Sequence, residues 1–271
     1  MSQPADQRMW VIGAGFLGAE VAAMCRAAGS ATLRMDPAAP AEVQGCAWEA
    51  AALARAQELL PNPQVVYGCM ATHGGDAQAY RLAYVESVAR LVEAVPRARL
   101  VFCSSTSLYG GPGEVTEESP TRTESERAQI LQEAEELVRQ SGGVVARLAP
   151  MYGSGRCELL RRHLAGEPRL PGAPSRVLNY VHVQDAARAL LLLGTLSPLP
   201  HRVYNVCAES FSKEEVYALL ERQTGVPLAP QVAAHGRRGA ADHRVCAERL
   251  RSLGWAPQMA FARYVAEAGA S

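Results

Sequence analysis

The hexapeptide Gly13-Ala14-Gly15-Phe16-Leu17-Gly18 constrains this chain more than any other feature, because of what stands on either side of it. Met9–Ile12 is a short apolar run suited to a strand buried on both faces. After the turn, Leu17, Val21, Ala22 and Cys25 recur at helical spacing, Gly29 ends that helix, and Ala31–Leu33 resumes as a strand. Each glycine has a task in such a unit. Gly13 permits the sharp turn, Gly15 lets the main chain approach a pyrophosphate, and Gly18 lets the helix lie close on the sheet. The helix start, at Phe16 and Leu17, then offers free N–H groups and a partial positive charge to the phosphates. A purely structural glycine turn is the alternative.

The end of the second strand selects the nucleotide. An acid there binds a ribose 2′-hydroxyl, whereas an arginine accommodates a 2′-phosphate. Arg34 directly follows the apolar residues and Asp36 comes after it, before Pro37. That order favours NADP(H) over NAD(H), with Arg34 on the 2′-phosphate. The competing reading leaves Arg34 exposed and lets Asp36 start a turn.

Alternation continues with helix 48–60, strand 64–70, helix 76–94, strand 99–104, helix 124–140 and strand 144–148. Such alternation implies right-handed crossovers and an α/β, Rossmann-type doubly wound parallel sheet. Loops after residues 12, 34, 70, 104 and 149 should line one crevice at the carboxyl ends of the strands. Ala71 and Thr72 would then contact the adenosine or ribose, and His73 is a loop residue able to face the same crevice. Beyond Tyr152 the pattern loosens, with a strand and helix around 180–193, a strand at 202–207, and a helix opened by Ser212 with Glu215 as a capping box. A dinucleotide-binding domain over 1–152 and about 176–207, with a small interleaved C-terminal substrate lobe over about 153–175 and 208–271, fits a chain of 271 residues.

Composition narrows the partners. Formal net charge is zero, with 27 basic and 27 acidic residues and only short pairs such as Arg161-Arg162 and Arg237-Arg238, so no nucleic acid is expected. The apolar stretches are too short for a membrane span, and the glycines of the N-terminal run argue against a signal core. Seven scattered cysteines, none spaced Cys-x-x-Cys, suit a cytoplasmic protein. Cys103 reads as core. His235, His243 and Cys246 match no usual zinc spacing, so no metal is expected.

Several segments together carry a resemblance: the turn at 13–18, "VFCSSTSLYG" at 101–110, "RLAPMYGSGR" at 147–156, "NYVHVQDAARAL" at 179–190, "VYNVCAES" at 203–210 and "RLRSLGWAP" at 249–257. In this order they resemble the extended short-chain dehydrogenases/reductases, the NAD(P)-dependent epimerase/dehydratase group, and its shorter, atypical members most. The resemblance implies a Ser or Thr that polarises the substrate oxygen, a Tyr that moves the proton, and a Lys four residues later that lowers the Tyr pKa. It places Ser105 on the Ser/Thr position with Ser107 nearby, and Ser104 and Pro150 at the cofactor; Tyr152, just beyond the strand ending near Leu148, either contacts the cofactor beside the nicotinamide or packs in the core. It also places Arg127 on the Tyr position and Leu131 on the Lys position. The sole lysine, Lys213, opens the capped helix, where solubility is its ordinary role. The Tyr–Lys dyad is therefore absent.

Three outcomes compete. The first is an NADP(H)-dependent oxidoreductase, a reductase of a small carbonyl or imine metabolite, with protons from Ser105, Tyr109, Tyr152 or the substrate; Arg127 could polarise an oxyanion but not act as base. The second is a non-catalytic NADP(H)-binding sensor or scaffold. The third is a nucleotide-sugar epimerase or dehydratase. The expected partner is a small-molecule substrate, and a homodimer stays open. His182 and Asp185 either close over the substrate or order their loop and cap a helix, and the second reading is preferred.

Overall fold

The computed structural model describes residues 7–72, 74–122, 124–153, 155–231 and 242–269. His73, His235 and the pair Arg237-Arg238 lie outside the described residues. In chain order the strands are β1 (Arg8–Ile12), β2 (Ala31–Asp36), β3 (Val43–Gln44), β4 (Val65–Gly68), β5 (Arg99–Ser105), β6 (Gly113–Val115), β7 (Val144–Leu148), β8 (Met151–Tyr152), β9 (Val177–His182), β10 (Val203–Val206), β11 (Glu209–Ser212) and β12 (His243–Val245). The helices are α1 (Phe16–Ala27), α2 (Ala50–Leu59), α3 (Ala77–Arg81), α4 (Ser87–Ala94), α5 (Glu126–Gln140), α6 (Glu158–Leu164), α7 (Val183–Thr195), α8 (Lys213–Thr224), α9 (Glu248–Ser252) and α10 (Phe261–Gly269). A π-helical turn, Leu82–Glu86, joins α3 to α4. Among the described residues no helix is long and apolar enough to cross a membrane.

Seven strands form one parallel sheet in the order β10-β7-β5-β4-β1-β2-β3. The order reverses between β1 and β4, where a doubly wound sheet binds its ligand. Strand residues serve two cores alternately, as the two-residue period dictates. Met9 and Val11 join Leu17, Val21 and Cys25 of α1 and Leu190 and Leu193 of α7. Trp10 and Ile12 join Leu53 of α2, Leu91 of α4 and Ile130 of α5 on the other face. The sheet is thus covered on both sides, as the unbroken apolar strands require.

A third apolar cluster belongs to the smaller lobe, with Leu159 and Leu160 of α6, Val216 and Leu220 of α8, and Phe261 and Val265 of α10 around Tyr152. Ser212 caps α8 with the reciprocal Glu215 bond, and Gly225 ends it at φ +69°. Two small sheets tie the lobe to the main domain: β11-β9-β8, and a parallel pairing of β12 with β6. The sole lysine departs from expectation. Lys213 is buried, and its Nζ donates to the carbonyl oxygens of Gly172 and, at 3.2 Å, Leu170. It staples the 170–172 loop to α8 and does not serve the surface.

Candidate functional site

The glycine turn is built by close approach. Gly13 has φ +86°, and a Cβ there would stand 2.5 Å from the carbonyl oxygen of Cys69. A Cβ on Gly18 would lie 1.8 Å from the carbonyl oxygen of Gly13. A Cβ on Gly15 would meet nothing within 4 Å. Gly13 and Gly18 therefore shape the turn, while Gly15 leaves open space directly before the start of α1. The turn is pinned to its neighbours by Gly13 N–H to Met35 O at 2.8 Å and Cys69 N–H to Ile12 O at 2.7 Å.

Asp36 ends β2 at the rim of this space. Its Oδ2 accepts from Ala14 N at 2.7 Å, and its Oδ1 accepts from Ala38 N at 2.8 Å and Ala39 N at 2.6 Å. Three main-chain donors thus hold the carboxylate against the glycine turn. Arg34 lies elsewhere, which corrects the sequence expectation. It does not line the space, and its guanidinium grips Glu42, Nη2 to Oε1 at 3.0 Å and Nε to Oε2 at 3.2 Å. β2 runs on to Asp36 instead of ending at Leu33, so Arg34 sits within the ladder beside Val11.

A cavity of about 980 Å³ runs from this turn along the carboxyl ends of the strands to the small lobe. Gly13, Gly15, Phe16, Leu17, Ala71, Thr72, Ser104, Ser105 and Pro150 line it, as do Ser107 and Leu131. Gly18, Arg34, Arg127 and Tyr152 do not. Ser105 at the end of β5 and Ser107 in the turn after it line the space, with Ser105 Oγ 2.8 Å from Ser107 Oγ and accepting from Ser107 N at 3.1 Å. Ser104 is turned inward and donates to Glu135 Oε1 at 2.5 Å.

The two remaining catalytic candidates are displaced. Arg127 is exposed at the start of α5, bonded to the Gly75 carbonyl and stacked 4.8 Å over the Tyr80 ring. Leu131, one helical turn later, fills the wall where the resemblance implies a lysine. Tyr152 is buried in the lobe core, donates to Met259 O at 2.8 Å, and packs on Phe261 with ring centroids 5.1 Å apart. Burial pushes its phenol up, and the carboxylates of Glu209 and Asp185 add to the rise. Tyr109 is equally enclosed, donating to Asn205 Oδ1 at 2.7 Å. His182 caps α7, its Nδ1 accepting from Gln184 N at 3.2 Å, whereas Asp185, expected to serve that helix start, accepts from Gln258 N and Met259 N at 2.8 and 3.0 Å.

Other lining residues were not visible in the sequence. Arg156 lies 4.9 Å over the Phe16 ring, so a small-lobe cation sits on the glycine turn. Arg176, Tyr180 and His243 line the far end, and Tyr84 the wall beside Thr72. His243 arrives through the β12–β6 pairing, a contact between distant segments for which the local sequence holds no signal.

A parallel sheet wound on both faces, with a glycine turn and a carboxylate at its switch point, defines the class: an α/β protein of the Rossmann type. The chain belongs to the NAD-dependent epimerase/dehydratase family, whose sequence profile matches residues 9–207. It is 31% identical over 143 residues to Protein YeeZ of Escherichia coli, a stretch covering 49% of this chain and 50% of that protein. The chain thus spans about half the length of the curated relative it matches. Among solved structures it superposes on a putative epimerase from Burkholderia cenocepacia with TM-score 0.82 and 21% identity, covering 97% of this chain and 98% of that one. It also superposes on a dTDP-glucose 4,6-dehydratase from Bacillus anthracis in complex with NAD, with TM-score 0.80, 19% identity and coverage of 97% and 96%. A UDP-glucose 4-epimerase from Thermotoga maritima gives TM-score 0.78 and 19% identity, covering 97% and 98%.

Proposed function

We propose that the chain binds NAD(H) and performs hydride exchange on a hydroxyl- or carbonyl-bearing small molecule, without the Tyr–Lys pair of its relatives. The position of Asp36 carries the choice of cofactor. Its carboxylate stands at the rim beside the open space before Gly15, where a ribose hydroxyl could donate to it and a 2′-phosphate would be repelled. Arg34, the basis for expecting NADP(H), is occupied by Glu42. The NAD in the complex of the superposed dehydratase supports the same reading.

Gly13, Gly15 and the first turn of α1 would hold the pyrophosphate, and Asp36 the adenosine ribose. Bound there, the nicotinamide would supply or accept the hydride. Ser105 would donate to the substrate oxygen from the end of β5. Arg176 gives the small-lobe end a positive charge suited to an acidic substrate, while Arg156 sits over Phe16 at the glycine turn.

A second reading, epimerisation or dehydration of a nucleotide sugar, is favoured by the family and by the nucleotide-sugar enzymes it superposes on. It is opposed by Leu131 and Arg127 at the Lys and Tyr positions. Titration with NADH and NADPH by fluorescence tests the cofactor, with NADH the tighter ligand. A panel then follows 340 nm absorbance, using UDP-glucose and dTDP-glucose with NAD+ and 9,10-phenanthrenequinone with NADH. Failure of NADH to bind the folded protein would end the proposal, and binding without turnover across the panel would turn it into a sensor.

A further inference from the structure

With Tyr and Lys missing, a hydride step in this cavity needs another group to hold the proton. Few described lining residues qualify. Burial pushes the Tyr84 phenol up to about 12, and Tyr80 beside it adds to the rise. Tyr180 is stacked on Phe261 and raised by burial. Cys69 is held up by its hydrogen bond to Cys103 and by burial. Arg156 and Arg176 offer only N–H donors and no acceptor for a proton, and Asp36 is held by three main-chain donors at the glycine turn. His243 is different: among the described lining residues it is the only imidazole.

Its placement is specific. β12 is fixed by its pairing with β6 and by Asn179, whose Nδ2 donates to His243 O at 2.8 Å while its Oδ1 accepts from Val245 N at 3.1 Å. The residue is 3% exposed, and its ring packs edge-on to Tyr109 at 5.9 Å and faces the carbonyl groups of Thr106 and Gly111. Thr106 stands between Ser105 and Ser107, so the ring borders the serine turn. Nδ1 is buried and has no hydrogen-bond partner among the described residues. The two carbonyls the ring faces can accept from a ring N–H, which stabilises a proton taken up by the imidazole.

Building on the function proposed above, we propose that His243 is the proton-transfer residue of this cavity. In alcohol oxidation the neutral imidazole takes the hydroxyl proton while the carbinol C–H bond breaks and its hydride reduces the oxidised dinucleotide. The C=O bond forms, one N–H bond forms on the imidazole, and that proton then passes to solvent. Reduction runs the same bonds in reverse, with the reduced dinucleotide as reductant. Burial lowers the imidazole below its ordinary range and Arg122 acts in the same sense, while the carbonyls of Gly111 and Thr106 and the Asp242 carboxylate oppose them. At neutral pH the ring is therefore in its base form.

The test reads the imidazole directly. In protein labelled with 13C-histidine, one ring signal, absent from H243Q (or from H243N should that fold better), should titrate below the ordinary histidine range. Its midpoint should fall further with saturating NAD+, which brings a cationic nicotinamide, and stay unchanged with ADP-ribose, which lacks that ring. Equal responses to the two ligands, or none while both are bound, would overturn the proposal and leave NAD binding intact. If neither ligand binds, the functional reading itself fails and this one falls with it. For any panel compound the wild type turns over, H243Q should lose about a hundredfold in kcat with NADH affinity unchanged, and retained kcat would also overturn the proposal.

Discussion

Glu135 and Arg147 form an ion pair inside the protein, Oε2 to Nη2 at 2.6 Å and Oε1 to Nε at 3.0 Å, with their side chains 4% and 8% exposed. Ser104 donates to the same carboxylate, and Arg147 donates to Tyr109 Oη at 3.0 Å. The pair anchors α5 to β7 directly beneath the serine turn. Removing one partner strands the other charge in the interior, at a cost of about 3–5 kcal/mol. Glu135→Ala should lose that much in urea denaturation, whereas Glu135→Leu combined with Arg147→Met should lose far less. A single variant as stable as wild type would show that the pair is solvated or dispensable.

The glycine turn separates folding from binding. A Cβ on Gly18 collides with main chain, so Gly18→Ala should lower Tm sharply. A Cβ on Gly15 touches no protein atom but enters the space assigned to the pyrophosphate. Gly15→Ala should keep the wild-type Tm within a few degrees and weaken NADH by about tenfold or more, the 1.4 kcal/mol scale of one lost close contact. Undiminished NADH affinity in folded Gly15→Ala would move the dinucleotide elsewhere.

Asp36→Ala should weaken NADH and narrow the gap to NADPH, because the variant loses both the acceptor for a hydroxyl and the repulsion of a phosphate. The lost charged hydrogen bond is worth about 1.5–3 kcal/mol, or roughly tenfold to a hundredfold in NADH affinity. Arg34→Ala should leave the NADH-to-NADPH ratio where it was. A selective loss of NADPH binding in Arg34→Ala would restore that guanidinium to the site.

The sheet was legible because its evidence is local: apolar strands, helical spacing and glycines each act within a few residues. Strand ends carry a weaker local signal. Arg34 and Asp36 share one face of β2, and only their distance along the strand, about 6.6 Å for two residues, decides which reaches the rim. The apolar run ends at Leu33, whereas β2 continues to Asp36. Met151 and Tyr152 show the same sensitivity in another form. Adjacent strand residues point oppositely, so Met151 lines the cavity while Tyr152 enters the lobe core. His243 depends on short strands paired over a long separation, and no periodicity announces such pairing.

Glu42 predicts a small pH dependence. Partial burial raises its carboxyl, but the Arg34 side chain and the main-chain N–H of Arg34 outweigh that and bring it down to about 2. A depressed acid contributes stability above its unfolded value, lost as pH falls through the folded one. The window is therefore from about 4.5 down to about 2. The side chain is 38% exposed, so solvent screens the gain, and Glu42→Gln should cost about 0.5 kcal/mol at pH 7. Wild type and variant should converge as pH drops through that window, and a difference that persists at its acid end would assign the effect to packing.

Tyr152→Phe distinguishes a core tyrosine from one acting on a ligand. The hydroxyl is enclosed and donates to Met259 O, which holds the segment before α10 against the lobe core. Phenylalanine keeps the ring among Phe261, Tyr180 and Tyr264, so packing survives while the Met259 carbonyl loses its donor. Stability should fall by about 1 kcal/mol, the net worth of one buried hydrogen bond. NADH affinity and any turnover should stay at wild-type values, since the residue does not line the cavity. Loss of turnover at unchanged stability would bring Tyr152 back as a reacting group and require the lobe to rearrange when ligand binds.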